Sequence, residues 1–126
     1  MAKSRRGARA SRRYVQVHEY VMRSPGWRRL SPLGKCAWLE FGLYYNGSNN
    51  GRLAVSARMM AERLDVCPTA AAKAMRDLLN NGFVELVRAS DFGKKKRSAE
   101  YRLTHVPCDA TGAIASKKFL RDIAVT

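Results

Sequence analysis

The chain is short of acid. Its 126 residues carry 10 Asp and Glu against 24 Lys and Arg, a formal net charge of +14, and none of the acids lies in the first 13 residues. A surplus that large in so small a protein costs self-repulsion and favours a polyanionic partner, nucleic acid first and an anionic membrane surface second. The carboxylates are scattered, with no close pair, no nucleophile–base motif and no phosphate-cradling glycine loop. The chain is therefore expected not to be an enzyme and to carry no cofactor. Long apolar runs are missing too: no stretch of 18 exists, so no segment spans a membrane and no membrane partner is expected. The N-terminus has no apolar core of a secretory signal. It is Arg- and Ser-rich as organellar presequences are, but before Tyr14 its apolar residues are Met1 and alanines, too few for an amphipathic face. Cysteine is scarce, three residues with no CxxC, which points to a reducing, cytoplasmic location, nucleoid-associated if the polyanion is DNA. His105-x-x-Cys108 has metal-like spacing, yet a zinc set would need distant ligands such as Cys67 or His18, and structural zinc uses two close pairs; no metal is expected. Cys36 reads as core packing and Cys108 as a loop thiol.

What is present fits one domain around a single core. Residues 1–13, "MAKSRRGARASRR", bring Lys3, Arg5, Arg6, Arg9, Arg12 and Arg13 with no bulky side chain beyond Met1, and are expected to form a disordered basic arm. "YVQV" (14–17) reads as a short strand. Two Ser-Pro pairs punctuate the next stretch, and Ser31-Pro32 has the form of an N-cap followed by the first helical position. The helix expected over 32–45 is apolar around most of its circumference, through Leu33, Cys36, Ala37, Trp38, Leu39, Phe41, Leu43, Tyr44 and Tyr45. Such a helix is expected at the centre of the core, with its aromatics and Trp27 packing rather than stacking on bases. "NGSNNG" (46–51) ends it, "RLAV" (52–55) suits a short strand, and Ser56 is a second N-cap.

From Ser56 two helical stripes follow: Ala57, Met60, Ala61 and Leu64, then Ala71, Ala74, Met75 and Leu78, each at i, i+3, i+4, i+7 spacing. Asp65-Val66-Cys67 separates them and Pro68 opens the second, which runs to about residue 81. Asn81-Gly82 supplies a residue suited to the left-handed position after a helix. "FVELVRA" (83–89) and "AEYRLT" (99–104) read as strands joined by a polar loop containing Lys94, Lys95, Lys96 and Arg97. Residues 105–126 form a C-terminal extension in which "SKKFLRDIA" suits a short amphipathic helix presenting Phe119, Leu120 and Ile123, either packed on the body or serving as a dimer contact.

Residues 56–104 resemble the winged helix-turn-helix, on "SARMMAERLDVCPTAAAKAMRDLLNNGFVELV" followed by "YRLT". GntR-type regulators place a small Ala where Ala61 stands, Leu-Gly-Val-Ser where this chain has Leu64-Asp65-Val66-Cys67, and Ala-Leu-x-x-Leu where it has Ala74-Met75-Arg76-Asp77-Leu78. More loosely, "SPGWRRLSPLGK", "YNGSNNGRLAVSARMMAERLDV" and "HVPCDATG" look like short helix-turn-helix proteins of bacterial mobile elements and phages. The resemblance implies a mainly α fold with a small antiparallel β-hairpin wing over residues 14–104. It also implies a sequence-preferring double-stranded DNA-binding protein, a transcriptional regulator, with the recognition helix at about 68–81. Two positions depart from the pattern. Asp65 replaces the usual glycine, and Asp tolerates positive φ. Cys67 replaces the capping Ser; sulfur is a poor acceptor and a lost cap costs about 1 kcal/mol. Pro68 offsets part of this, or Thr69 caps instead.

With Ala71, Ala74, Met75 and Leu78 inward, Thr69, Lys73, Arg76 and Asn80 centre the outward face and Ala70 and Ala72 edge it. Lys73 or Arg76 could take guanine, and Ala72 or the Thr69 methyl could touch a thymine methyl. The plain alternative is a solvated helix face. Lys94, Lys95, Lys96 and Arg97 would reach phosphate from the wing, Arg5, Arg6, Arg9, Arg12 and Arg13 a minor groove from the arm, and Arg58 or Arg63 a phosphate from the preceding helix. Double-stranded DNA is the expected partner; the oligomeric state is left open, with a homodimer over two half-sites among the options. An RNA-binding or ribosome-associated module and a replication or assembly factor are the competing readings.

Overall fold

A computed structural model describes residues 13–89 and 98–121. Among them are five α-helices and a three-stranded antiparallel sheet: α1 (Glu19–Met22), α2 (Pro25–Arg29), α3 (Pro32–Tyr44), β1 (Leu53–Ala54), α4 (Ala57–Leu64), α5 (Pro68–Asn80), β2 (Val84–Arg88) and β3 (Glu100–Leu103), followed by a 3₁₀ turn at Lys118–Leu120. No helix among the described residues is long and apolar enough to cross a membrane.

Both Ser-Pro pairs start helices. The Ser24 hydroxyl accepts from the Trp27 N–H and the Ser31 hydroxyl from the Gly34 N–H, each with proline at the first helical position, where no N–H is lost. Ser56 caps α4 in the same way through the Met59 N–H. Helix α4 ends at Asp65, which takes the left-handed conformation (φ 58°, ψ 47°) expected of it. The α5 flank is Cys67, whose side chain makes no capping bond. The helix starts at Pro68, so Thr69 is not the cap. Gly82 follows α5 at φ 80°.

The sheet order is β1-β3-β2. β2 and β3 pair from Val84–Leu103 to Arg88–Glu100, with a bulge between Leu86 and Arg88; β1 pairs with β3 through Leu53–Tyr101 and Ala54–Glu100. The core lies where α3, α4 and α5 meet this sheet: Trp38, Phe41, Met60, Leu78, Phe83 and Leu103 are all buried. Among buried polar side chains Asn50 does most to order the loops. Its Nδ2 donates to the carbonyls of Leu103, Val106 and Pro107, and its Oδ1 accepts from the Leu103 N–H.

Four expectations are corrected. "YVQV" is not a strand; Val15 lies against Gly42, and the sheet is built from β1, β2 and β3 alone among the described residues. Helix α3 is central on one face only, because Leu39 and Leu43 are 39% and 48% exposed. Cys36 shares that outward face and is exposed, whereas the loop thiol Cys108 is buried with Sγ 3.7 Å from the Asn50 carbonyl. In place of a C-terminal amphipathic helix there is a single 3₁₀ turn whose Phe119 is fully buried and stacked on Phe83 at 4.9 Å; Leu120 is exposed and Ile123 lies outside the described residues. The seat for Phe119 depends on two glycines. A Cβ at Gly26 would stand 2.8 Å from the Phe119 carbonyl oxygen, and one at Gly82 would stand 2.7 Å from Lys118.

Candidate nucleic-acid interface

Helix α5 turns Ala71, Ala74, Met75 and Leu78 into the core, as its apolar stripe requires. The opposite face carries Thr69, Lys73, Arg76 and Asn80, all exposed, and Ala70 and Ala72 are half-buried on its edges. A groove of about 560 Å³ runs along one side of this face, lined by Ala70, Lys73, Arg76, Asp77 and Asn80 of α5 and by Arg29, Ser31 and Leu33 from the α2–α3 junction. Of the five α5 residues expected to contact DNA, Lys73, Arg76 and Asn80 are brought together there. Thr69 stands in the first turn of α5 and Ala72 on the flank, both outside the groove.

Sequence reasoning gave no role to Arg29, Ser31 or Asp77 in this groove. Asp77 is its acidic residue, and both carboxylate oxygens are engaged. Oδ2 accepts from the Ser31 N–H at 2.8 Å and Oδ1 from the Asn81 amide at 2.9 Å. Asn81 in turn accepts from Arg29 Nε at 3.1 Å, and Arg29 also donates to the Arg121 carbonyl. One chain of hydrogen bonds thus joins the cap of α3, the end of α5, the end of α2 and the C-terminal segment. The carboxylate serves as the acceptor within that chain, while Lys73 and Arg76 hold the outward face with positive charge. A basic pair just ahead of a Ser-Pro cap was visible in "WRRLSP", but nothing local showed that Arg29 lies beside Asn81, 52 positions on.

The other expected contacts divide. Arg58 is exposed on α4. Arg63 is taken up by Glu40 at 3.3 Å and lies over the Tyr44 ring. Arg13 donates to the Tyr45 carbonyl at the C-terminal end of α3, away from the groove. Arg5, Arg6, Arg9 and Arg12 of the arm and Lys94, Lys95, Lys96 and Arg97 of the hairpin tip lie outside the described residues.

Arg13 lines a second cavity, of about 430 Å³, together with Tyr14, His18, Trp38, Tyr45 and His105. The His105 ring packs 5.2 Å from Trp38. Burial, joined by repulsion from His18 and Lys117, pushes its pKa down to about 4, so the imidazole is neutral near pH 7. On the sheet, burial pushes Glu85 up, but Lys118 at 2.6 Å, Arg102 and Ser116 outweigh it and hold the carboxyl below its usual range. That cluster pins residues 116–118 to β2. Among the described residues no three His, Cys, Asp or Glu side chains gather as metal ligands would.

No family model, curated protein or solved structure matches the chain.

Proposed function

We propose that the chain is a winged helix that binds double-stranded DNA with a sequence preference, with α5 as its recognition helix. The observation that carries this reading is the outward face of α5, where Lys73, Arg76 and Asn80 are exposed along a groove whose acid, Asp77, is bonded to Ser31 and Asn81. The antiparallel pair β2–β3, which follows α4 and α5 in the chain, agrees with the hairpin wing that the resemblance implies. The net charge of +14 supplies the long-range attraction. Arg76, able to fork onto guanine, and Lys73 do the reading in this scheme. The flanking alanines let the helix approach the bases closely, and transcriptional regulation is the role that fits such a module.

Selection of bound sequences from a random duplex pool, run on the full chain and on Arg76→Ala, tests it. The full chain is expected to enrich a motif. Arg76→Ala is expected to relax it by about 1–3 kcal/mol at one or two positions. No enrichment by the full chain, or equal losses on every sequence from Arg76→Ala, would remove α5 as the reading helix. Structured RNA added as competitor at fixed salt separates this from the RNA-binding reading.

A further inference from the structure

We infer that the second cavity, the one beside His105, is a binding site for a small aromatic carboxylate. It shares no lining residue with the α5 groove, so the inference stands apart from the DNA-binding reading.

Two nitrogens create the demand for a ligand. Among the described residues three buried side-chain nitrogens have no hydrogen-bond partner: Arg102 Nε, Trp38 Nε1 and His105 Nδ1. Arg102 Nε still has Glu85 Oε1 at 3.6 Å. The other two belong to residues that line this one cavity, and their rings pack 5.2 Å apart. Folded chains leave few buried polar atoms unmatched, and each such atom needs a physical account. Trp38 is only 3% exposed and meets Trp27 and Phe83 edge to face. Phenylalanine would supply that packing without burying an N–H, so the core does not account for the indole nitrogen.

The chemistry of the walls selects the ligand. An indole N–H only donates, so its partner is an acceptor. The His105 imidazole is neutral near pH 7 and can carry its hydrogen on Nδ1, which makes it a second donor. Among the described residues that line the cavity none is Asp or Glu, and Arg13 is the one permanent charge. Asp109, whose charge reaches Tyr45, is held by the Asn50 N–H at 2.8 Å. Two N–H donors and one guanidinium match a carboxylate, a monoanion that accepts through both oxygens, better than a phosphate dianion. The remaining wall is aromatic or apolar, through Tyr14, Tyr45, Val15, Leu103 and Val106, and suits a ring. A volume of about 430 Å³ lies in the lower part of the range for small-molecule sites, as a one- or two-ring acid requires.

The test uses the full chain with 2-naphthoate as the probe and the uncharged 2-naphthamide beside it. Titration followed by NMR reads the two indole N–H signals, assigned with Trp27→Phe. 2-Naphthoate is expected to bind saturably with a Kd of about 1 mM or below. It should move the Trp38 indole proton downfield and leave that of Trp27 nearly in place. 2-Naphthamide should bind about tenfold more weakly. Arg13→Gln changes an exposed position, and His105→Phe keeps a ring against Trp38. Each should weaken 2-naphthoate about five- to tenfold while still melting cooperatively. Absence of a saturable shift up to the solubility limit of the probe overturns the site. Equal binding of the amide overturns the carboxylate. Binding untouched by both substitutions, or a water signal at the Trp38 N–H that persists at saturation, overturns the site as well. None of these outcomes bears on DNA binding at α5.

Discussion

Helices α3 and α5 invite comparison because so much about them is the same. Each has 13 residues, each starts with proline, and the two pack against each other. Their inward faces are equivalent: Trp38 and Phe41 on one, Met75 and Leu78 on the other, all at the shared core. Their outward faces differ entirely. α5 presents Lys73, Arg76 and Asn80, whereas α3 presents Cys36, Leu39 and Leu43. Folding needs only the inward halves. Whatever the outward halves do is therefore legible against a matched background, a polar cationic face on one helix and an apolar uncharged one on the other.

The largest effect that sharpens this contrast lies across α3 itself. Phe41→Ala, which empties a fully buried site, is expected to cost about 3–5 kcal/mol in denaturant unfolding. Leu43→Ala, two positions on and 48% exposed, is expected to stay within about 0.5 kcal/mol. A large loss at Leu43 in the free chain would mean that the outward face is already covered.

The next effect depends on pH and acts on the inner face of α3 through His105, which packs on Trp38. Its pKa in the folded chain is pushed down to about 4, below the ordinary 6.5. The stability contributed by the neutral ring is therefore complete above pH 6.5 and is lost as pH falls from 6.5 towards 4. The loss reaches up to about 3 kcal/mol. Thermal melts across that range should show it, and His105→Phe should flatten the profile in that window. A profile unchanged by the substitution would assign the loss to other groups.

The smallest effect concerns the start of the two helices. Ser31 caps α3 with its hydroxyl, while Cys67 leaves α5 without a side-chain cap. Cys67→Ser should raise stability by about 1 kcal/mol, read as a shift in the denaturant midpoint with an unchanged slope. Ser31→Cys should do the reverse.

The sequence was most legible where the causes were local. The stripes of α4 and α5, the left-handed Asp65, the Ser31 and Ser56 caps and Gly82 follow from residues within a turn or two of each other, and the structure has each of them. Periodicity also placed Lys73, Arg76 and Asn80 on one exposed face. It could not place Arg29 beside Asn81 or Phe119 against Phe83, because those contacts join segments that share no pattern. Helix α3 misled for a related reason. Apolar residues around most of a helix signal burial around most of it, yet Leu39 and Leu43 stand exposed, and periodicity alone cannot say which apolar residues a fold leaves uncovered.

The Phe119 seat has a consequence in time. Its walls come from Gly82 and Phe83, roughly 37 residues back in the chain, and from Gly26, roughly 93 back, so filling it closes longer loops, at a greater entropic cost, than the short turn that brings α4 onto α5. The helix-turn-helix can assemble early from neighbours in the chain. The C-terminal turn is then expected to arrive last and to let go first, which hydrogen exchange at the Leu120 amide, bonded to the Lys117 carbonyl, would check.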